Sequence, residues 1–325
     1  MAAPNSWQTR ARGSLLLAAC ADALGSVFEG QRGLDPERVA EAVDHVASSL
    51  CWTDDTAQTL VLAEHLAAHG GRIESDALAA GFADAWSAEP WRGYGHGAVQ
   101  MLAQINDGTP WREAAQSAFG GSGSLGNGAA MRAAPVGLVP GCSLDEVAVA
   151  ATASAGVSHV HPEGIDGAVA QALAVAIAAR TPKDQGLQVN EVIEAIAART
   201  GAVFAAELRA VPALLAGPAA AISDRYRCDA TALGAVPPAI AVFLRHPDDP
   251  VALVKEAIGL GGDTDTIAAM AAAICGAHCG EAAVPQPWSA ALEQAARVRA
   301  AADGLTRSGD AAQRRCEYGS ETNGY

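Results

Sequence analysis

Gly261-Gly262-Asp263-Thr264-Asp265-Thr266 sets two carboxylates and two hydroxyls in alternation directly after a glycine pair, ahead of an apolar run from Ile267 to Ile274. Asp and Thr offer the hard oxygen ligands that Mg2+, Mn2+ or Ca2+ take. The glycines permit a turn tight enough for alternate side chains to converge on one point. Asp and Thr also cap helices, but one cap needs one such residue, and four in a row after Gly-Gly exceed that need. A second cluster, Thr53-Asp54-Asp55-Thr56, stands at the start of another helical run, Ala57 to Ala68. Capping and the helix dipole account for part of it. Neighbouring carboxylates repel, however, and a cation between them removes that cost. Two such helix starts facing each other would form a binuclear cation site.

Other residues fit around that pair. Glu29 follows Ser26-Val27-Phe28 in a loop between Gly25 and Gly30. It is an ordinary solvated carboxylate or, if the loop faces the acidic pair, a proton-transfer group. Gly120 to Gly128 is the most glycine-rich part of the chain. Such a loop is either a set of turns or a row of backbone N–H groups presented to an anion. Gly93-Tyr94-Gly95-His96-Gly97 reads as a second backbone-lined wall. His159 is a cap, a core residue or a site residue. His161, beside Pro162, reads as structural, and His65 and His278 as packing residues on helices.

The elements that must position these groups read as helices throughout. Half of the 325 residues are hydrophobic and 5% aromatic, so the core is built mainly from Ala, Leu, Val and Ile, which favours helix and close helix packing. Few stretches alternate with period two. Runs are expected near 13–23, 36–48, 57–68, 74–86, 98–105, 111–119, 143–153, 162–179, 189–199, 202–215, 236–245, 251–258, 266–278 and 289–301, with 217–234 the least defined. The expectation is an all-α fold: a loose tail over 1–12, one domain over 13–305, and a disordered tail over 306–325.

A formal net charge of -15 excludes nucleic acid and anionic membrane as main partners. For an anionic ligand, it requires that cations or backbone N–H groups supply the positive field. Seven scattered cysteines form no CxxC and no zinc spacing, the pattern of a reduced, cytoplasmic protein. Arg10 and Arg12 ahead of Leu15-Leu16-Leu17-Ala18-Ala19-Cys20 mimic a leader. The run continues unbroken into Asp22 and Gly25, so a helix of the mature domain is expected, and no membrane span.

Taken together, Ala21-Asp22-Ala23-Leu24-Gly25, Trp52-Thr53-Asp54-Asp55-Thr56, Gly126-Asn127-Gly128-Ala129-Ala130-Met131-Arg132, Ser158-His159 with Gly167-Ala168, and Gly261 through Thr266 carry a resemblance. The chain resembles the ADP-ribosylglycohydrolases, the ADP-ribosyl-acceptor hydrolase family that includes the dinitrogenase-reductase-activating enzymes. That resemblance implies a compact, single-domain orthogonal helical bundle and hydrolysis of the glycosidic bond between ADP-ribose and an acceptor. It implies two Mg2+ ions (Mn2+ as the alternative) held by Thr53, Asp54 and Asp55 and by Asp263, Asp265 and Thr266, with Asp265 shared. Glu29 takes the place of the catalytic acid/base of the ADP-ribosyl-serine hydrolase branch. Gly93, Gly95, Phe119, Gly123, Ser124, Leu125, Gly126, Asn127, Gly128 and His159 are placed around the ADP-ribose, with Phe119 at the adenosine end. Leu125 departs from that branch, where a tyrosine is expected to stack on adenine. The motif wording leans toward a serine acceptor, with other O-linked acceptors and poly(ADP-ribose) in range. Its alternatives are an ADP-ribosyl-arginine hydrolase and a catalytically silent ADP-ribose binder. A monomer acting on ADP-ribosylated protein or small molecules is expected. A binuclear phosphatase would need metal-binding histidines near the Asp clusters, and the sequence has none there.

Overall fold

Long Ala/Leu/Val runs with few β-branched stretches drive this chain into helices. A computed structural model gives the fold and describes residues 6–46 and 49–307. Among those residues no strand forms; Leu50 with Leu292 and Gly126 with Thr231 make two isolated bridges. In chain order the helices are α1 (Trp7–Gly25), α2 (Pro36–Asp44), α3 (Asp54–Ala68), α4 (Ser75–Ala88), α5 (His96–Asn106), α6 (Trp111–Ser117), α7 (Gly128–Met131), α8 (Ala134–Gly137) and α9 (Leu144–Gly156). The second half holds α10 (Pro162–Arg180), α11 (Val189–Ala197), α12 (Ala202–Ala210), α13 (Ala220–Arg225), α14 (Ala232–Arg245), α15 (Pro250–Gly259), α16 (Thr264–Cys279) and α17 (Gln286–Ala291). A last helix, α18, spans residues 295–307.

Every residue of α16 is buried, as a helix apolar on all sides must be. Helix α1 lies against it, and two glycine contacts set the register. A Cβ on Gly276 would fall 2.2 Å from the Gly13 carbonyl oxygen, and one on Gly25 would fall 2.5 Å from Asp265 Cα. The C-terminal end of α1 therefore meets the N-terminal end of α16, and the two run antiparallel. Between the contacts Ser14 Oγ donates to the Ala273 carbonyl (2.8 Å). The consequence is functional: the chain leaving α1 toward Glu29 emerges beside Asp263 and Asp265. Two backbone bonds lock it there, Gly30 N–H to the Gly262 carbonyl (2.8 Å) and Gly262 N–H to the Gln31 carbonyl (2.7 Å). Gly262 has φ +80, and a Cβ there would lie 1.9 Å from the Cys228 carbonyl oxygen. Only glycine fits that turn.

Several expectations change. The chain is not loose up to residue 12: α1 begins at Trp7, where the Ser6 side chain accepts from Thr9 N–H. Arg10 is buried, and its Nη1 donates to the carbonyls of Ala178, Thr181, Ala277 and His278 (3.2–3.3 Å). One cation thus closes the C-terminal ends of α10 and α16, where the helix dipoles favour it. Arg12 binds Asp303 (2.6 Å). The leader-like arginines are structural. Against the expectation of no membrane-length segment, Trp7–Phe28 is long and apolar enough to cross a membrane by length and composition, with 83% of that window buried inside the fold.

Helix α14 starts at Ala232 and carries Pro237 and Pro238 inside it. The helix thus starts four residues before the expected Val236, because Thr231 caps it, accepting from Gly234 N–H (3.0 Å). The single helix expected over 289–301 is split into α17 and α18, because Leu292 and Glu293 leave helix to pair with Leu50. Residues 306 and 307 belong to α18, and the rest of the expected C-terminal tail, with Cys316, lies outside the described residues. The other six cysteines are free thiols.

Candidate active site

The N-terminus of α3 is held from below by one carboxylate. Asp22, a lone acid in the apolar run of α1, is fully buried. It accepts from Thr53 N–H (3.0 Å), Thr53 Oγ1 (2.8 Å), Thr56 N–H (3.1 Å) and Thr56 Oγ1 (2.5 Å). Burial pushes its pKa up to about 6 against those four bonds. From behind, Trp52 N–H donates to Glu293 Oε1 (3.0 Å), and the Arg92 guanidinium stacks on the Trp52 ring at 3.6 Å while pairing with Glu89 and Glu293. Asp54 N–H donates to the Arg92 carbonyl (2.8 Å). A short stretch of loop is thereby made rigid.

Thr53, Asp54, Asp55, Asp263, Asp265, Thr266 and Glu29 all line one cavity of about 330 Å³. Oxygens of Glu29, Asp263 and Asp265 lie within 4.8 Å of one another. Asn127 Nδ2 donates to Asp263 Oδ2 (2.7 Å), and Thr266 N–H to Asp265 Oδ1 (2.9 Å). Thr264, between the two acids, turns away and donates to the Gly25 carbonyl (2.8 Å). Burial first, and then the neighbouring carboxylates, push Asp54 up to about 7 and Asp265 up to about 9 and raise Asp55 well above the usual range. Glu29, at the cavity mouth, is raised by partial burial and by Asp263.

These residues fit a bound cation. Asp55 Oδ2 is sealed from solvent and has no hydrogen-bond partner among the described residues. An orphaned carboxylate oxygen in a set of carboxylate and hydroxyl donors is what a hard divalent ion would satisfy.

Around the rest of the cavity stand Gly93, Gly95, Phe119, Ser124, Gly126, Asn127, Gly128 and His159, of which Asn127 and Gly93 adjoin the acidic residues Asp263 and Asp54. Gly123 and Leu125 are not on its wall. Gly123 has φ +78 and packs on the segment that leads into α10, where a Cβ would lie 2.3 Å from Val160 Cγ2 and 2.8 Å from His161 N. The Leu125 carbonyl accepts from Ala232 N–H (3.0 Å). The expected row of free N–H groups is also reduced. Gly123 N–H donates to the Ala118 carbonyl, Asn127 N–H to the Ala230 carbonyl, and Gly126 N–H to Ser124 Oγ. The reason is tethering: this loop is tied to residues 230–232. What its glycines supply is close approach, since a Cβ on Gly128 would lie 3.4 Å from His159 Cε1.

Positive charge comes instead from Arg132 in the wall, fully buried, its pKa lowered to about 9 by burial. Burial and Arg132 lower His159 to about 3, so its ring is neutral. His161 caps α10, accepting from Glu163 N–H, and His65 accepts from Glu74 N–H (3.0 Å).

Sequence reasoning omitted Asp22, Gln58, Arg132 and Ser158 from the site. Each left a trace: a single acid in an apolar helix, an amide one turn beyond Asp54, and the ends of two quoted motifs. The apolar wall of Phe82, Met101, Leu102 and Met131 left none, because such residues read simply as core.

Comparison with known proteins agrees with this geometry. The sequence model of the ADP-ribosylglycohydrolase family matches residues 3–315. "ADP-ribosylhydrolase ARH3" of Mus musculus is 31% identical over 329 residues, covering 88% of this chain and 88% of that protein. The Homo sapiens protein of the same name is 30% identical over 326 residues, covering 88% and 89%. A solved structure, "ADP-ribosylglycohydrolase-related protein complex", superposes with a TM-score of 0.69 at 24% identity over 93% of this chain and 99% of that one, a likeness of fold.

Proposed function

The chain belongs to the ADP-ribosylglycohydrolase family, and from that premise we propose that it hydrolyses the bond between ADP-ribose and a serine acceptor with the help of two divalent cations. A glycosyl hydrolase acting on ADP-ribose linkages is what the family and its ARH3 relatives indicate. The observation that carries the finer reading is one shared cavity, in which Glu29 and six oxygen-donor residues face Asn127 and His159.

Thr53, Asp54 and Asp55 would hold one side of a pair of Mg2+ or Mn2+ ions, and Asp263, Asp265 and Thr266 the other, with Asp265 shared. When bound, such ions neutralise the carboxylates and fix the ribose hydroxyls beside the scissile bond. Glu29 stands on the same side as Asp263 and Asp265 and carries the proton between the acceptor oxygen and water. Partial burial and Asp263 raise its pKa, the direction that favours a carboxyl able to hold a proton for transfer. Arg132 supplies a fixed positive charge at the far end, where the pyrophosphate would lie. The serine acceptor is favoured by the position of Glu29 and by the wording Gly262-Asp263-Thr264-Asp265-Thr266-Ile267-Ala268.

An ADP-ribose release assay on serine- and arginine-modified peptides tests this, with Mg2+ and with EDTA. The serine peptide should turn over, EDTA should abolish release, and Glu29→Gln should lower kcat by about 100-fold or more with ADP-ribose affinity retained in calorimetry. Release from the arginine peptide alone would move the reading to the N-linked substrate. EDTA-resistant release would remove the cations, and full activity in Glu29→Gln would remove Glu29.

A further inference from the structure

A buried hydrogen-bond chain connects the two ends of the cavity. Gln58, one turn beyond Asp54 on α3, donates from Nε2 to Asp54 Oδ2 (2.8 Å), and its Oε1 accepts from Arg132 Nη1 (2.7 Å). Arg132 Nη2 donates to Ser158 Oγ (2.5 Å), and Ser158 Oγ lies 2.7 Å from His159 Nδ1. All five side chains are buried, and the guanidinium lies over the Phe82 ring at 4.2 Å.

A guanidinium has donors and no acceptor, so it gives every bond in this chain a direction. Toward α3, the Gln58 oxygen must face Arg132. Its NH2 is then left for Asp54, which stays an acceptor at Oδ2. Toward α10, Ser158 Oγ accepts from Arg132 and must place its own hydrogen elsewhere. The Ala155 carbonyl is 3.4 Å away and already takes the N–H groups of Ser158 (3.0 Å) and His159 (2.8 Å). Nδ1 of His159 is the acceptor that remains. A neutral imidazole accepting at Nδ1 carries its proton on Nε2. That nitrogen faces the glycine turn, 3.8 Å from where a Cβ on Gly126 would lie and 3.6 Å from one on Gly128.

We propose that Arg132 is a positioning residue that sets the direction of the chain Asp54–Gln58–Arg132–Ser158–His159. His159 is thereby fixed as an N–H donor to an acceptor oxygen of the ligand, such as a phosphate oxygen, while Asp54 is fixed as an acceptor at the acidic end. The ligand part of this rests on the ADP-ribose reading above; the tautomer does not.

The test uses the ligand-free protein with 15N-labelled histidine, and His159→Gln to assign the signal. Long-range 1H–15N correlation separates protonated from bare ring nitrogens. In the wild type at pH 7, Nε2 should be protonated and Nδ1 bare. Ser158→Ala should give a mixture of tautomers and about tenfold weaker ADP-ribose binding in calorimetry. Arg132→Lys, still a donor-only cation, should keep the wild-type tautomer, and Arg132→Met should lose it. At the other end Gln58→Met should weaken Mn2+ binding by about 10–100-fold. A proton on Nδ1 in the wild type, an unmoved tautomer in Ser158→Ala, or unchanged Mn2+ affinity in Gln58→Met overturns the proposal. Intact tautomer effects with no hydrolysis of any ADP-ribosylated peptide would count against the functional reading alone.

Discussion

At one end of the cavity Glu29, Asp54, Asp55, Asp263 and Asp265 face one another across two helix starts. At the other, Arg132 and the neutral His159 sit among Ser158, glycine backbone and the Phe82 ring, and among the described residues no carboxylate pairs with Arg132. Burial acts on both ends and in opposite senses. It raises Asp54 to about 7 and Asp265 to about 9, and lowers His159 to about 3 and Arg132 to about 9. The basic end resolves most of its burial internally, through hydrogen bonds of Arg132 to Ser158 and Gln58, and keeps the guanidinium Nε without a partner among the described residues. At the acidic end Asp55 Oδ2 has no hydrogen-bond partner among the described residues, and its neighbours are carboxylates of the same sign. The difference lies in charge rather than in unpaired atoms: one guanidinium is bonded to neutral groups, whereas five crowded carboxylates need protons or cations. Changes at the two ends should differ in size and in their dependence on pH and cations.

The largest effect is expected at Asp22, which bears the acidic end without lining the cavity. Its carboxylate takes four hydrogen bonds from Thr53 and Thr56. Hydrogen bonds to a charged group are worth about 1.5–3 kcal/mol each before compensation, and removing one partner of a buried set leaves the others unsatisfied. Asp22→Ala should lower unfolding free energy in urea by at least about 3 kcal/mol, against about 1 kcal/mol for Ser158→Ala at the basic end. Equal losses would erase the contrast.

Next in size is the pH dependence. Asp54 and Asp265 have folded-state pKa values near 7 and 9, above the unfolded value of about 3.9. From about pH 4 to pH 9 the folded chain then binds more protons than the unfolded one, so the cation-free protein loses stability as pH rises through that window. A divalent cation takes the place of those protons and removes the loss. The Tm difference between Mg2+-loaded and EDTA-treated protein should widen by at least about 5 °C from pH 5 to pH 8. His159 acts with the opposite sign. Its folded pKa of about 3 lies below the unfolded value of about 6.5, so stability is lost as pH falls from about 6.5 toward 3, with or without Mg2+. A Mg2+ gap that stays constant with pH would mean that the acidic end is already compensated within the protein.

The same contrast explains what could be read from the sequence. Acid pairs after glycines and at helix starts are conspicuous, because few packing roles call for Asp263, Asp265, Asp54 and Asp55 at that spacing. The all-α character followed as directly from the alanine-rich runs. The basic end was legible only in part. Glycines announce a turn at Gly126–Gly128, but not whether its N–H groups are free, and here three of the loop's donors are taken by Ala118, Ala230 and Ser124. Arg132 and Gln58 leave only a positional trace, the end of a motif and an amide one turn beyond Asp54, and nothing local shows that they are bonded to each other, since that depends on α3 and α7 meeting in space. Helix ends failed where a tertiary contact overrode a local cue: Arg10 extends α1 toward the N-terminus by binding four carbonyls, and Leu292 breaks the last helix to pair with Leu50.

The smallest expected effect concerns Phe119, where the basic end opens to solvent. Its backbone has φ 52 and ψ 45, in the left-handed region, and its side chain is 67% exposed. A bulky residue there is strained by about 1–2 kcal/mol, and so exposed a ring recovers little of that through burial. Its ring also meets the space above Gly97, at 3.9 Å from where a Cβ would lie, and lines the cavity. Strain kept at a ligand site is consistent with a stacking surface held in place for a base. Phe119→Gly should therefore raise unfolding free energy by about 1 kcal/mol while weakening ADP-ribose binding about 3–10-fold, the loss of a partly exposed stack. Free ribose 5-phosphate, which has no base to stack, should bind the two proteins alike. A variant that gains stability without losing ADP-ribose affinity would show that the adenine lies elsewhere, and that the conformation at Phe119 serves only the turn into Gly120.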